Sequence, residues 1–121
     1  MTELKYKRIL LKVSGEALGE KTAQGDGFGL DFAKMNEVAA SIKSCVDMGV
    51  QVGLVIGGGN FWRGVKNGSG KMQRSHADAM GMLATVMNAI AVADVLTQYG
   101  MDARVLTAVE INKYAEYFTR D

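Results

Sequence analysis

Three consecutive glycines, Gly57 to Gly59, follow an apolar run at residues 50–56 that predicts a buried strand. Glycines in this position let the backbone approach a ligand closely, because no Cβ intervenes and each residue still offers an N–H donor. Asn60 is expected to cap a short helical turn containing Arg63, whose guanidinium can bind phosphate oxygens in a bidentate manner. The triplet therefore predicts a phosphate-binding turn. A tight turn without a ligand is an equally good interpretation at this point.

A lysine lies near the end of the first predicted strand, residues 7–13. Lys12 interrupts an apolar centre just before Ser14 and Gly15. In open α/β sheets the carboxyl ends of the strands line the ligand crevice, so an ammonium group and backbone donors could lie beside a phosphate here. A solvated lysine at a strand end is the alternative interpretation, and position favours the functional one only slightly.

Asp78 lies near the start of a long helix predicted from Ser75 to about Tyr99. Ser75 and Asp78 have the spacing of a capping box, so Asp78 could stabilise the helix start, or it could bind sugar hydroxyls as a ligand residue. Residues 80–96 are apolar almost all round, which predicts burial on several sides. Because a sheet covers only one side, we expect a subunit interface to cover the rest.

The elements that must position these residues alternate between strand and helix. Residues 19–29 are rich in glycine and polar residues and are interpreted as a flexible loop or β-turn. Asp31 is expected to cap a helix that runs to about Met48 and ends at Gly49, before the strand 50–56. This order predicts a βαβ unit with two parallel strands, the first covered on both faces.

The last part of the chain predicts a third strand at residues 102–106 and the start of another helix at 110–121.

Composition limits the class of protein. The chain has 121 residues, of which 48% are hydrophobic and 22% charged, which indicates one folded domain, residues 1–121. A net charge of +1 gives no reason to expect nucleic acid or an anionic membrane as a partner. Cys45 is the only cysteine, which fits a reducing cytoplasm. The most apolar helical stretch, residues 80–93, is too short to span a bilayer and contains Asn88, so no membrane span is expected.

Taken together, these segments resemble the bacterial uridylate (UMP) kinases of the amino acid kinase family. The resemblance is carried by residues 9–18, 25–29, 55–60 and 78–88. It implies an α/β fold with a mostly parallel sheet between helix layers, an amino acid kinase-like αβα sandwich, of which this chain would supply the N-terminal portion. It also implies transfer of the γ-phosphoryl group of ATP to UMP, with Mg²⁺, in pyrimidine nucleotide synthesis.

The resemblance also assigns roles to individual residues. Lys12 and Arg63 would be the catalytic side chains, and Gly58 and Asp78 would bind UMP. The residues implied for ATP are Lys12, Val13, Ser14, Gly15, Gly59 and Arg63. No residue is assigned as a metal ligand. No general base is needed, because the acceptor is already a phosphate anion.

Assembly and regulation follow from the same resemblance. It implies a homohexamer formed through the helix 76–99, with GTP as a candidate effector. The loop implied for GTP activation comprises Gly25, Asp26, Gly27, Phe28 and Gly29. Ala93 and Thr97 stand where some relatives carry Arg and His tied to GTP control, which argues against a GTP response.

Two other functions stay open. The family's C-terminal half would complete the active site, so the 121 residues by themselves are predicted to lack turnover. The chain could then act as a non-catalytic module for oligomerisation and weak UMP binding. A related amino acid or carbamate kinase is the other alternative, although the helix that starts near Asp78 argues against it.

Overall fold

The computed structural model describes residues 5–22, 25–62, 70–107 and 116–118. In chain order the elements of these residues are β1 (Arg8–Val13), a 3-10 helix (Gly15–Leu18), β2 (Glu20–Thr22), β3 (Gly25–Phe28), α1 (Phe32–Asp47), β4 (Gln51–Ile56), α2 (Arg74–Gln98), β5 (Leu106–Thr107) and β6 (Glu116–Tyr117).

The centre of the structure is a parallel pair of strands. β1 and β4 pair from Arg8 with Gln51 to Val13 with Ile56. A parallel pair needs a crossover connection, and α1 lies within that connection. The predicted βαβ unit is confirmed, with each strand beginning one residue later than expected.

Local signals set the limits of α1. The Asp31 carboxylate accepts hydrogen bonds from the backbone N–H groups of Ala33 (2.9 Å) and Lys34 (3.3 Å), as an N-cap does. At the other end Gly49 has a φ of 91°, and its N–H donates to the Val46 carbonyl at 2.9 Å. A positive φ favours glycine, so the helix ends where the sequence predicted.

The core lies on one face of the β1–β4 pair, where α1 and α2 pack together. Its buried residues are Leu18, Met35, Ala39, Ile42, Val92, Val95 and Leu96. On the opposite face Leu10 is 72% exposed and Val55 is 52% exposed. The fold class is confirmed as α/β with parallel strands and helices. The described residues cover only one face of β1, however, whereas its apolar centre predicted cover on both.

Most of the described residues between 19 and 29 form two strands, whereas the sequence predicted a flexible loop or β-turn. β2 and β3 form an antiparallel hairpin, with a register irregularity between Glu20 and Lys21. The Asp31 N–H donates to the Leu18 carbonyl at 2.7 Å, which holds the two ends of this segment together. The sequences of β2 and β3 lack the apolar alternation that predicts a strand, so the hairpin could not be recognised from the sequence.

The end of the described chain differs from the prediction. Residues 102–105 are not in a strand, and β5 pairs in parallel with β6 rather than with β1 or β4. The predicted helix 110–121 is wrong at Glu116 and Tyr117, and its remaining residues, apart from Phe118, lie outside the described ranges. Aromatic residues favour strands, and periodicity cannot distinguish helix from strand in so short a segment.

α2 runs close to its predicted limits but begins differently. Its N-cap is Gln73, which makes no side-chain capping hydrogen bond, so the predicted capping box is wrong. Ser75 lies inside the helix because the helix begins at Arg74. The Asp78 carboxylate instead accepts a hydrogen bond from Arg74 Nε at 3.0 Å.

By length and composition, α2 is the one described helix that could cross a bilayer. An 18-residue window of it has a mean hydropathy of 1.7, and 33% of that window is buried within the structure. Core helices of soluble proteins also pass this test of length and composition. α2 contributes Val92, Val95 and Leu96 to the core shared with α1.

Candidate phosphate-binding site

Two glycine turns meet at the carboxyl ends of β1 and β4. The Gly57 N–H donates to the Val13 carbonyl at 2.9 Å, which extends the strand pairing into the turn. A Cβ built on Gly15 would lie 2.5 Å from Gly59 N and 2.7 Å from Asn60 Oδ1. Only glycine allows this approach of two backbones. The structure thus brings together Gly15 and Gly59, which were predicted from separate parts of the sequence.

The Gly57–Gly59 turn leaves N–H donors available. The Gly58 carbonyl accepts from the N–H groups of Phe61 (3.0 Å) and Trp62 (3.1 Å), which closes the turn. Within the described residues, the N–H groups of Gly58 and Gly59 have no hydrogen-bond acceptor. Successive turn amides without an acceptor are groups that can bind an anion.

Gly58 has a packing reason to be glycine. A Cβ at this position would lie 2.8 Å from the Ala84 Cβ and 3.0 Å from the Gly81 carbonyl oxygen, so α2 packs directly on the turn. This contact accounts for the residue type without a ligand. The contact of Gly58 with UMP stays a prediction.

Two buried asparagines connect the turn to α2. Asn60 is 1% exposed and Asn88 is 0% exposed. Their amides bond reciprocally, from Asn60 Nδ2 to Asn88 Oδ1 at 3.1 Å and from Asn88 Nδ2 to Asn60 Oδ1 at 2.7 Å. The prediction that Asn60 caps a helical turn is corrected, because its side chain is committed to this pair.

The remaining amide hydrogens of the pair reach two glycine carbonyls. Asn88 Nδ2 donates to the Gly57 carbonyl at 2.7 Å, and Asn60 Nδ2 donates to the Gly29 carbonyl at 2.6 Å. The Gly29 N–H in turn donates to the Asn60 carbonyl at 2.9 Å. All four amide hydrogens therefore have partners, as burial requires.

Sequence reasoning missed this pair. In the sequence, Asn88 argues against a membrane span and belongs to the stretch 78–88 of the resemblance, but a lone amide in an apolar helix must also find a buried partner. That signal predicts that a partner exists, but it cannot identify Asn60, which is 28 residues away.

The end of the turn is tied to the start of α2. Trp62 Nε1 donates to the Ala77 carbonyl at 2.8 Å. This contact places the first turn of α2, and Asp78 with it, beside the end of the glycine turn. Asp78 is exposed, and its only charged partner in the described chain is Arg74. The location suits a ligand residue at the rim, and its role with UMP stays a prediction.

The other predicted residues are placed as follows. Lys12 is exposed and lies opposite Val55 in the strand pair, on the face that α1 and α2 do not cover. Ser14 Oγ accepts from the Ala17 N–H at 3.3 Å and caps the 3-10 helix. Arg63 lies outside the described residues.

The loop predicted for an effector reaches the site through its last residue. Residues 25–28 form β3, and Gly29 follows with a φ of 68° and its two hydrogen bonds to Asn60. The described residues contain no group of three or more His, Cys, Asp and Glu side chains that could hold a metal ion.

Comparison with known proteins gives one family match and matches to solved structures. A family model described as the amino acid kinase family matches residues 7–120. The structure is similar to the crystal structure of UMP kinase from Bacillus anthracis, with a TM-score of 0.84 and 37% sequence identity over 95% of this chain and 46% of that one. It is also similar to UMP kinase from Ureaplasma parvum, with a TM-score of 0.81 and 32% identity over 96% of this chain and 47% of that one. This chain therefore spans about half the length of these solved structures.

Proposed function

This chain belongs to the amino acid kinase family, and from that premise we propose that it is the phosphate-handling half of a UMP kinase, which transfers the γ-phosphoryl group of ATP to UMP to give UDP. The observation that carries the proposal is the meeting of the Gly15 and Gly57–Gly59 turns at the carboxyl ends of two parallel strands. The UMP kinase-like fold, at 37% identity to one such enzyme, supports the choice of substrate.

The proposed chemistry needs alignment and charge compensation rather than a covalent intermediate. The N–H groups of Gly58 and Gly59 suit phosphate oxygens, and they are held in place before the ligand arrives. Lys12 would bring an ammonium group to the same edge of the sheet, and Ser14 and Gly15 would line the ATP side of the crevice. Val13 and Arg63 complete the proposed ATP site.

Asp78 is proposed to bind the ribose of UMP. Its carboxylate would accept hydrogen bonds from the sugar hydroxyls in exchange for the one it receives from Arg74. That exchange is inexpensive, because an exposed ion pair within one helix contributes only about 0–1 kcal/mol. Gly58 would contact UMP from the turn.

Magnesium is proposed to enter with ATP. The described residues offer no cluster of carboxylates for it, and Mg²⁺ is commonly held by substrate phosphates together with water. The chain's own contribution would be amide donors and a lysine that bind the phosphates.

Oligomerisation is proposed to use the exposed stripe of α2. Its large apolar side chains are 38–52% exposed and lie on one side of the helix: Met80, Leu83, Met87 and Ile90. A homo-oligomer, a hexamer as the resemblance implies, would cover them. Cytoplasmic location and a GTP effector at residues 25–29 are also proposed on the resemblance alone.

The test is calorimetric titration of the 121-residue chain with UMP, with CMP and N-acetylglutamate as competing acceptors, together with an ADP-release assay. We expect UMP to bind and CMP and N-acetylglutamate to bind more weakly or not at all. Preference for N-acetylglutamate would overturn the UMP kinase assignment in favour of a related kinase.

A second candidate function for these residues by themselves is nucleotide binding without turnover. The observation that favours it is that they correspond to 46% of the matched Bacillus anthracis enzyme. UMP binding without ADP release would support this function, and ADP release above the buffer rate would exclude it.

A further inference from the structure

We propose that Asn60 and Asn88 are positioning residues that hold the Gly57–Gly59 turn in its anion-binding shape and join it to the hairpin exit at Gly29. The inference rests on the proposed function only for the identity of the ligand. The positioning itself is a property of this chain and can be tested without any nucleotide.

The pair controls both ends of the turn. Asn88 binds the Gly57 carbonyl at 2.7 Å, where the turn begins, and Asn60 is the residue that follows its last glycine. Glycine has the greatest backbone freedom of any residue, so three in succession would sample many shapes without external contacts. Donors aligned in advance bind a charged group better than donors that must first be ordered.

Burial makes the arrangement specific. Both side chains are almost wholly inaccessible to solvent, and all four of their amide hydrogens are donated. Rotation of either amide by half a turn would bring N–H groups against N–H groups and oxygens against carbonyl oxygens. A single satisfied arrangement therefore exists, and it fixes the carbonyls of Gly57 and Gly29 together.

The link to the hairpin runs through two hydrogen bonds on one residue. Gly29 accepts from Asn60 Nδ2 at 2.6 Å and donates its N–H to the Asn60 carbonyl at 2.9 Å. Gly29 also has a φ of 68°, and a Cβ built on it would have no neighbour within 4 Å. Both of its contacts with Asn60 are therefore made by its backbone. A change at the hairpin exit must move Asn60 or break both bonds.

The first measurement uses the unmodified 121-residue chain. NMR would follow hydrogen exchange of the side-chain amides of Asn60 and Asn88, with Asn36 as the internal control because it is exposed on α1. We expect exchange of the Asn60 and Asn88 side chains to be slower than that of Asn36 by roughly tenfold or more. Equal exchange rates for the three asparagines would overturn the proposal.

The second measurement compares Asn88→Ala with Asn36→Ala, with folding checked by circular dichroism. In Asn88→Ala we expect exchange of the hydrogen-bonded backbone amides of Gly57, Phe61, Trp62 and Gly29 to accelerate by roughly tenfold, with exchange in α1 unchanged. Faster exchange at the turn but not at Gly29 would contradict the proposed connection between the asparagine pair and the hairpin. If Asn88→Ala does not fold, Asn88→Ser keeps one donor and takes its place, with an intermediate acceleration expected.

The third measurement asks whether the positioning serves binding. We expect Asn88→Ala to raise the Kd for UMP or ATP by roughly tenfold relative to Asn36→Ala. A lower melting temperature with an unchanged Kd would mean a structural role only. If the unmodified chain binds neither nucleotide, the proposed function fails, while the exchange measurements still decide the positioning role.

Discussion

At the scale of single residues, the candidate site depends on glycines that allow two backbones, or a backbone and a helix, to approach closely. Gly15 permits contact between the turns after β1 and β4, and Gly58 permits contact with α2. Asp78, by contrast, is exposed, and its ion pair with Arg74 can be exchanged for hydrogen bonds to a ligand. Each of these residues can be tested against a matched position of the same type elsewhere in the chain.

Gly15→Ala is expected to destabilise the chain by about 1–3 kcal/mol, because the new Cβ would lie 2.5 Å from backbone that cannot shift easily. Nucleotide binding should weaken as the two turns separate. The control is Gly53→Ala in β4, where the nearest atom is the mobile end of the Leu10 side chain at 3.2 Å. Urea unfolding measures both variants, and equal stability for the two would contradict the contact.

Asp78→Ala is expected to raise the Kd for UMP by about tenfold, since the ribose would lose charge-assisted hydrogen bonds of about 1.5–3 kcal/mol. Asp94→Ala is the control. Asp94 lies on the same helix, is exposed, and accepts a hydrogen bond from the residue four positions later, as Asp78 does from the one four positions earlier. Calorimetry of both variants checks the prediction, and similar losses of affinity would point to a general charge effect.

At the scale of elements, α2 has two faces with different tasks. One side contacts the glycine turn through Ala77, Gly81, Ala84 and Asn88. The other side carries the exposed apolar stripe. Small residues on the first side allow the helix to approach the turn. Val86 is also buried, although it lies roughly opposite Asn88 around the helix, so α2 is buried on more than one side, as its apolar sequence predicts.

Two glycines that face each other across this contact are expected to respond in opposite directions. Gly58→Ala should destabilise the chain by about 1–3 kcal/mol, because its Cβ would lie 2.8 Å from that of Ala84. Gly81→Ala should stabilise it by about 0.5–1 kcal/mol, because alanine favours the helix and the nearest atom to the new Cβ, on Trp62, is 3.8 Å away. Thermal unfolding distinguishes them, and destabilisation by both would mean that the contact is tighter than described.

At the scale of the whole molecule, the described residues leave two apolar surfaces uncovered. One is the face of the β1–β4 pair that carries Leu10 and Val55, and the other is the stripe on α2. The matched UMP kinases are about twice as long as this chain. Surfaces of this kind favour association, because burying them removes apolar area from water.

The chain is expected to associate in solution. The double substitution Leu83→Lys with Met87→Lys is expected to lower the molar mass of the associated species, as measured by light scattering. Charges placed on the stripe would resist burial in an interface. Val46→Lys on α1 is the control, because Val46 is an exposed apolar residue outside both surfaces. A monomeric unmodified chain would contradict the prediction.

The sequence by itself determined the βαβ unit, the limits of α1 at Asp31 and Gly49, and the presence of a glycine turn after β4. These features depend on local signals: apolar runs, a capping carboxylate and residues that accept a positive φ. The sequence also showed the resemblance to UMP kinases, because that resemblance rests on motifs of consecutive residues.

Only the tertiary structure decided which residues meet. The contact of Gly15 with Gly59, the Asn60–Asn88 pair and the uncovered face of the sheet join segments far apart in the chain. No local sequence pattern predicts such contacts, because the residues around a glycine or an asparagine do not indicate which distant segment packs against it. Packing of α2 on the turn selects the partners, and with them the shape of the phosphate-binding site.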